Sequence, residues 1–135
     1  MGGYVDAYRY DPSSGHLDSI QHIAAHPDTA RGPFRSSDIH IAPDGRFLYA
    51  SNRAETTITI FAIDAATGIL RSIGYMPTMG IEPRNFALDP SGKWLLVGNQ
   101  ESDSIVIFSV DAQTGTIQPS GKRLKVPKPT CLKME

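Results

Sequence analysis

Apolar side chains in this chain come in short alternating runs: Trp94 to Asn99, Ser104 to Val110 and Ile117 to Lys122 are three of them. Asp-Pro-Ser-Gly before the first run, Gln-Glu-Ser-Asp after it and Asp-Ala-Gln-Thr-Gly after the second separate them. Period-2 alternation over such lengths predicts half-buried strands. The separators supply what tight turns need: the fixed φ of Pro, the positive φ of Gly, and Asp side chains that bond back to the backbone. With Asn85 to Leu88 in front, the unit reads as four strands in an antiparallel meander. No segment carries a long apolar pattern at helical period between caps, so almost no helix is expected.

The same unit occurs twice. Pro43-Asp44-Gly45-Arg46-Phe47-Leu48-Tyr49-Ala50-Ser51-Asn52-Arg53, then Ile58 to Asp64 and Thr67-Gly68, are answered by Pro90-Ser91-Gly92-Lys93-Trp94-Leu95-Leu96-Val97-Gly98-Asn99-Gln100, Ile105 to Asp111 and Thr114-Gly115. Gly45 to Gly92, Asn52 to Asn99, Phe61 to Phe108 and Gly68 to Gly115 all differ by 47 positions, so the alignment needs no gap. A period of about 40 to 50 residues built of strand-sized pieces points to β-propeller blades.

The ends extend the pattern. Tyr4 to Tyr10 with the turn Asp11-Pro12-Ser13-Ser14-Gly15 matches a blade's third strand, and Leu17 to Ile23 its fourth. Pro129 to Met134 lies 46 positions beyond Pro83 to Leu88 and reads as one further first strand. The expected fold is therefore all-β, a β-propeller fragment of four-stranded antiparallel blades: the end of one blade in 1–25, whole blades in 36–76 and 83–123, and a closing first strand in 129–135. An open arc leaves apolar faces uncovered. It is expected to need the remaining blades, self-association or another chain.

Composition changes this picture little. The chain has 135 residues with 40% hydrophobic side chains, enough for a modest core. Thirteen basic against 14 acidic side chains give a net charge of −1, with no electrostatic footprint for nucleic acid or an anionic membrane surface. The single cysteine, Cys131, excludes an internal disulfide and a Cys-rich zinc site. Its place in an alternating run predicts a small buried hydrophobe rather than a nucleophile. No basic and apolar leader and no run of membrane-spanning length is present, so a cytoplasmic protein is expected.

Candidate chemistry gathers on one rim. In a meander the start of the first strand and the end of the second lie together, because the chain reverses between them. That puts Ser37 and Asp38 beside Asn52, Arg53 and Glu55 in one blade, and Glu82, Arg84 and Asn85 beside Asn99, Gln100 and Glu101 in the next. Arg53 and Arg84 could grip a phosphate or carboxylate with paired donors, and a His or carboxylate nearby could move protons. His40 lies two residues beyond Asp38, on the same side of the strand. Two readings of this pair stay open: a proton-handling site, or a His packed between blades next to an Asp that caps a turn. The stretch Ala24 to Arg35 falls outside the repeat and brings His26, Arg31 and Arg35, either as a functional loop or as a plain surface connection. No nucleophile elbow, His-Glu-x-x-His helix or P-loop occurs, and no metal or cofactor is expected.

The runs Ser37-Asp38-Ile39-His40-Ile41-Ala42-Pro43-Asp44-Gly45, Glu82-Pro83-Arg84-Asn85-Phe86-Ala87-Leu88 and Asn99 to Ile105 resemble the C-terminal part of the seven-bladed propeller lactonases. That family has a hydrolase branch, the propeller-type 6-phosphogluconolactonases, and a branch that cyclises carboxymuconate. The resemblance implies hydrolysis of an anionic sugar-acid lactone in the pentose phosphate route, with catalytic capacity only in a complete ring. It carries Asp38, His40, Arg53, Arg84 and Gln100 over as site positions. The resulting expectation is His40, Arg53 and Arg84 as catalytic residues, with Asp38, Asn52, Asn85 and Gln100 as substrate contacts. Lactonising cyclase and non-catalytic interaction scaffold are the alternatives.

Overall fold

The structure is a computed structural model and describes residues 2–134. Ten strands run β1 Tyr4–Asp11, β2 His16–Ala24, β3 Ser36–Ile41, β4 Phe47–Asn52, β5 Thr57–Ile63, β6 Leu70–Pro77, β7 Pro83–Leu88, β8 Trp94–Asn99, β9 Ser104–Val110 and β10 Ile117–Lys125. They form a two-stranded sheet β1-β2 and two four-stranded sheets ordered β3-β4-β5-β6 and β7-β8-β9-β10, antiparallel throughout. The helical content among the described residues is one 3₁₀ turn, Gln100–Ser102. The all-β arc of four-stranded blades is thus what the chain forms.

Alternation decides which face each side chain serves. From β4, Phe47 and Tyr49 enter the core between the two full blades, where they join Ile58, Ile60, Phe86, Leu95, Val97, Val106, Phe108 and Ile117. Leu48 and Ala50 enter the other core with Val5, Ala25, Phe61 and Leu70, against β1-β2. All six residues of β4 are buried, because this strand is central and both its faces are covered. Trp94 stands where Phe47 stands, first in the second strand, yet it is 40% exposed. It belongs to the blade face on which no further sheet packs among the described residues.

The hairpin turns repeat in atomic detail. Gly15, Gly68 and Gly115 have φ of 74°, 75° and 73°, and each donates its N–H to the carbonyl of the Asp four residues earlier at 2.8 Å. Positive φ at these points suits glycine. At Gly115 a Cβ would also collide with the Phe47 ring, so the turn of one blade is fitted against its neighbour. The Asp carboxylates collect the remaining turn donors: Asp64 Oδ1 accepts from Thr67 Oγ1 at 2.7 Å and Thr67 N at 2.9 Å, and Asp111 Oδ1 from Gln113 N at 2.8 Å and Thr114 N at 3.0 Å.

Two expectations are corrected at the C-terminal end. Residues 129–134 are not a strand. Leu132 N donates to the Asn85 side chain, at 2.5 Å to Oδ1, rather than to a backbone carbonyl, and the segment joins no sheet among the described residues. Cys131, expected to be buried, is exposed for the same reason, since no sheet holds that segment by its edge.

Two outcomes are expected. Phe86→Ala, which empties a fully buried site between the full blades, should cost about 3–5 kcal/mol in denaturant unfolding; residues 1–135 alone should bind a hydrophobic-surface dye and self-associate. Stability should also bend at both pH extremes. Hydrogen bonds from the Ser14 and Ser13 hydroxyls hold Asp11 down from 3.8 to about 2, and hydrogen bonds from Thr67 and Thr114 likewise lower Asp64 and Asp111. A depressed carboxyl stabilises the fold above its unfolded value and loses that contribution as pH falls, so melting temperature should drop between pH 3.8 and about 2. Burial pushes Tyr49, which donates to Gly115 O at 2.9 Å, up from 10.0 to about 12, so its contribution should be lost as pH rises through that interval.

Candidate functional site

The rim expected from the meander exists. Ser36 pairs with Asn52 and Pro83 with Asn99, so the start of each first strand sits beside the end of each second. The turns after Pro43 and Pro90 close the opposite ends of the same strand pairs.

Asp38 lies at the junction of the two full blades. Its Oδ2 accepts from Asn85 Nδ2 at 2.5 Å and from Phe86 N at 3.1 Å, both on the neighbouring blade. His40 Nε2 stands 3.1 Å from the same oxygen, and the imidazole meets the Phe86 ring edge-on at 4.8 Å between centroids. Asp38 Oδ1 takes Ile39 N at 2.9 Å. The carboxylate therefore joins two blades and orients one imidazole, whose side chain remains 41% exposed. It caps no turn.

A second cluster forms around Glu82, in the connection that enters β7. Its Oε1 lies 3.2 Å from Arg53 Nη1 and 3.0 Å from Arg35 Nη2, and Arg35 Nη1 reaches Oε2 at 3.5 Å. Arg53 is held from the backbone side as well, its N–H donating to Arg35 O at 2.8 Å. The side chains differ sharply in exposure: 6% for Arg53, 17% for Glu82 and 49% for Arg35. A guanidinium this enclosed depends on its carboxylate, because removing one partner of a buried pair leaves an uncompensated charge. Glu82 itself has φ +61°, which turns the chain into β7 with the carboxylate between the two arginines.

The remaining expected positions divide. Asn52 is buried and its amide hydrogens are engaged, donating to Ala25 O at 2.5 Å and Thr59 Oγ1 at 2.9 Å, so it anchors the 24–35 connection. Asn85 uses its Nδ2 on Asp38 and its Oδ1 on Leu132 N. Gln100 opens the 3₁₀ turn with its N–H on Glu82 O at 2.9 Å and its side chain half-buried. Arg84 is exposed near the start of β7, with no hydrogen bond or ion pair among the described residues. The structure thus brings Asp38, His40 and Asn85 together, and places Arg53 in a cluster with Glu82 and Arg35.

Arg35 was expected only within the 24–35 connection, with functional loop and plain surface connection both open, and not among the site residues. The signal was present: Arg35 and Glu82 are 47 positions apart, as are Asp38 and Asn85. Equivalent positions of adjacent blades are neighbours around the ring, so complementary residues one period apart can pair. Among the described residues, no group of three His, Cys, Asp or Glu could hold a metal ion, and no helix is long and apolar enough to cross a membrane.

Asp38→Ala should leave Asn85 Nδ2 and Phe86 N without their acceptor and cost about 1–3 kcal/mol in thermal or denaturant melting. Asp38→Asn, which keeps one acceptor oxygen, should lose less.

The family model described as "Lactonase, 7-bladed beta-propeller" matches residues 1–134. A 6-phosphogluconolactonase of Formosa agariphila is 46% identical over 91 residues, covering 66% of this chain and 25% of that protein. The 6-phosphogluconolactonase of Bacillus subtilis is 34% identical over 89 residues, covering 66% of this chain and 26% of that protein. Among solved structures, the periplasmic gluconolactonase PpgL of Pseudomonas aeruginosa superposes with a TM-score of 0.91 at 32% identity, over 98% of this chain and 36% of that one. A Bacteroides fragilis protein provisionally assigned as a 6-phosphogluconolactonase gives 0.89 at 47% identity over the same shares. The chain thus spans between a quarter and about a third of the length of these relatives.

Proposed function

The chain belongs to the seven-bladed β-propeller lactonase family, and on that premise we propose that it contributes two blades' worth of the active-site rim of a lactone hydrolase acting on a phosphorylated sugar-acid lactone. The observation that carries this reading is that two chemistries are built along the same strands: Arg53, held by Glu82 at the rim, and the His40 imidazole, four residues into β3 and held by Asp38. The names of the curated relatives favour the hydrolase over the cyclase branch.

A lactone is a cyclic ester, and its hydrolysis needs three things at once. Negative charge develops on the carbonyl oxygen as water attacks, the attacking water must lose a proton, and the ring oxygen must regain one as the ring opens. In the proposed site Arg53 and Arg84 supply the positive field, Arg53 rigidly and Arg84 with all its donors available. His40, oriented through Nε2 by Asp38, offers Nδ1 to the water and returns the proton to the leaving ring oxygen. Gln100, beside the Arg53–Glu82 pair through the Glu82 carbonyl, contacts a substrate hydroxyl. Asn52 and Asn85 act through the positions they enforce on the 24–35 connection and on Asp38.

Turnover also needs these groups held against one another across a closed mouth. Activity therefore belongs to the complete ring, to which this arc brings Arg53, Arg84 and His40. A sugar-phosphate substrate would place the reaction in the cytoplasm, since its charge prevents passage through the bilayer.

The test follows lactone disappearance at neutral pH, corrected for spontaneous hydrolysis. Residues 1–135 alone should not exceed background. In the complete ring, Arg53→Ala or Arg84→Ala should lower kcat/KM roughly tenfold to several hundredfold, the scale of a lost charge-assisted hydrogen bond. Wild-type rates in both variants would refute the assigned site.

A further inference from the structure

We propose that Arg35, from the one connection outside the repeat, is the residue that reads the phosphate of the substrate and so separates phosphorylated from unphosphorylated lactones. The inference rests on the lactonase reading above and goes beyond it, because that reading gives Arg35 no contact with the substrate.

A guanidinium carries five N–H donors arranged as two bidentate edges, one formed by Nη1 and Nη2 and the other by Nε and Nη2, with one donor left over. Arg35 spends the first edge on Glu82, with Nη2 to Oε1 at 3.0 Å and Nη1 to Oε2 at 3.5 Å. Its second edge has no partner among the described residues, and its side chain is 49% exposed. A long side chain free in solvent would have to be ordered before it could bind an anion. Here Glu82 has already done that, and Glu82 is itself fixed by the buried Arg53.

Arg35 and Arg53 share one carboxylate, and Arg84 stands two residues beyond Glu82 without an ion pair among the described residues. Asp38, on the first strand, is occupied by Asn85, Phe86 N and His40. The rim also carries acids, Glu101 paired with Lys128 and Glu55 with both carboxylate oxygens buried, so the case for an anion rests on the ordered, half-exposed Arg35 edge rather than on net charge. A compact dianion with several oxygens matches a preset guanidinium edge. A neutral sugar hydroxyl gains little from it.

The location supports specificity rather than chemistry. Arg35 immediately precedes β3, and its carbonyl accepts the Arg53 N–H at 2.8 Å, so the anion site and the proposed carbonyl-polarising arginine are fixed to one another. A phosphate seated on Arg35 would thereby set the distance of the lactone from Arg53.

The experiment compares the complete ring with its Arg35→Ala and Arg35→Lys variants on 6-phosphogluconolactone and on unphosphorylated glucono-1,5-lactone. Arg35→Ala should lose about ten- to a hundredfold in kcat/KM on the phosphorylated lactone, mainly through KM, and stay within about twofold on the unphosphorylated one. Arg35→Lys should recover part of the loss, having the charge without the fork. Inorganic phosphate should inhibit wild type competitively and Arg35→Ala more weakly. Equal loss on both lactones would overturn the proposal by making Arg35 a prop for Glu82; so would an unchanged KM for the phosphorylated one. If wild type hydrolyses neither lactone, the lactonase reading falls separately. Calorimetric titration with inorganic phosphate then decides Arg35, binding abolished by Arg35→Ala supporting it and no binding by wild type overturning it.

Discussion

A four-stranded blade whose central strands are apolar on both faces cannot stand alone, and the rest of this structure follows from that constraint. In β4 the alternating residues feed two different cores, Phe47 and Tyr49 toward one neighbour and Leu48 and Ala50 toward the other. Each blade is therefore an interface on both sides. The core between the full blades is large and aromatic, built on Phe47, Tyr49, Phe86 and Phe108, and it sets their relative placement. The exposure of Trp94, at the position where Phe47 is buried, shows the same side chain site without its neighbour.

Packing of this kind is non-directional, and polar contacts supply the register between blades. Tyr49 reaches across to the Gly115 carbonyl, and Gly115 in turn leaves room for the Phe47 ring. Near the innermost strands the same task falls to residues one period apart: Asp38 accepts from Asn85, Asn85 accepts from Leu132 N, and Arg35 meets Glu82. Because buried polar groups must find partners, these links tolerate little sliding of one blade past the next. The first strands are thereby held in a fixed order around the rim.

That order decides which polar groups share the rim. Asp38 and His40 come from β3, Arg84 and Asn85 from β7, and Arg35 and Glu82 from the connections that lead into those strands. Asp38, His40 and Asn85, and Arg35 with Glu82, all make contacts between the blades, so their order and the stability of the blade pair have the same physical source. The seven-bladed lactonase family, to which the chain belongs, sets this arrangement in a ring of which the chain spans a part.

Sequence alone determined the repeat and most of its consequences. The gapless period of 47 located the strands, their turns and the rim where first strands begin and second strands end, because alternation and turn chemistry are local properties. The resemblance of the Asp-Ile-His and Pro-Arg-Asn-Phe runs to the propeller lactonases pointed to the family. What only the tertiary structure decided is which side chains satisfy one another. Asn52 turned out to anchor Ala25 and Thr59, Cys131 is exposed because residues 129–134 find no ladder partner, and Arg35 joins Arg53 on Glu82. Those outcomes depend on distances between blades and on competition for a limited set of donors and acceptors, which is settled only when the sheets pack.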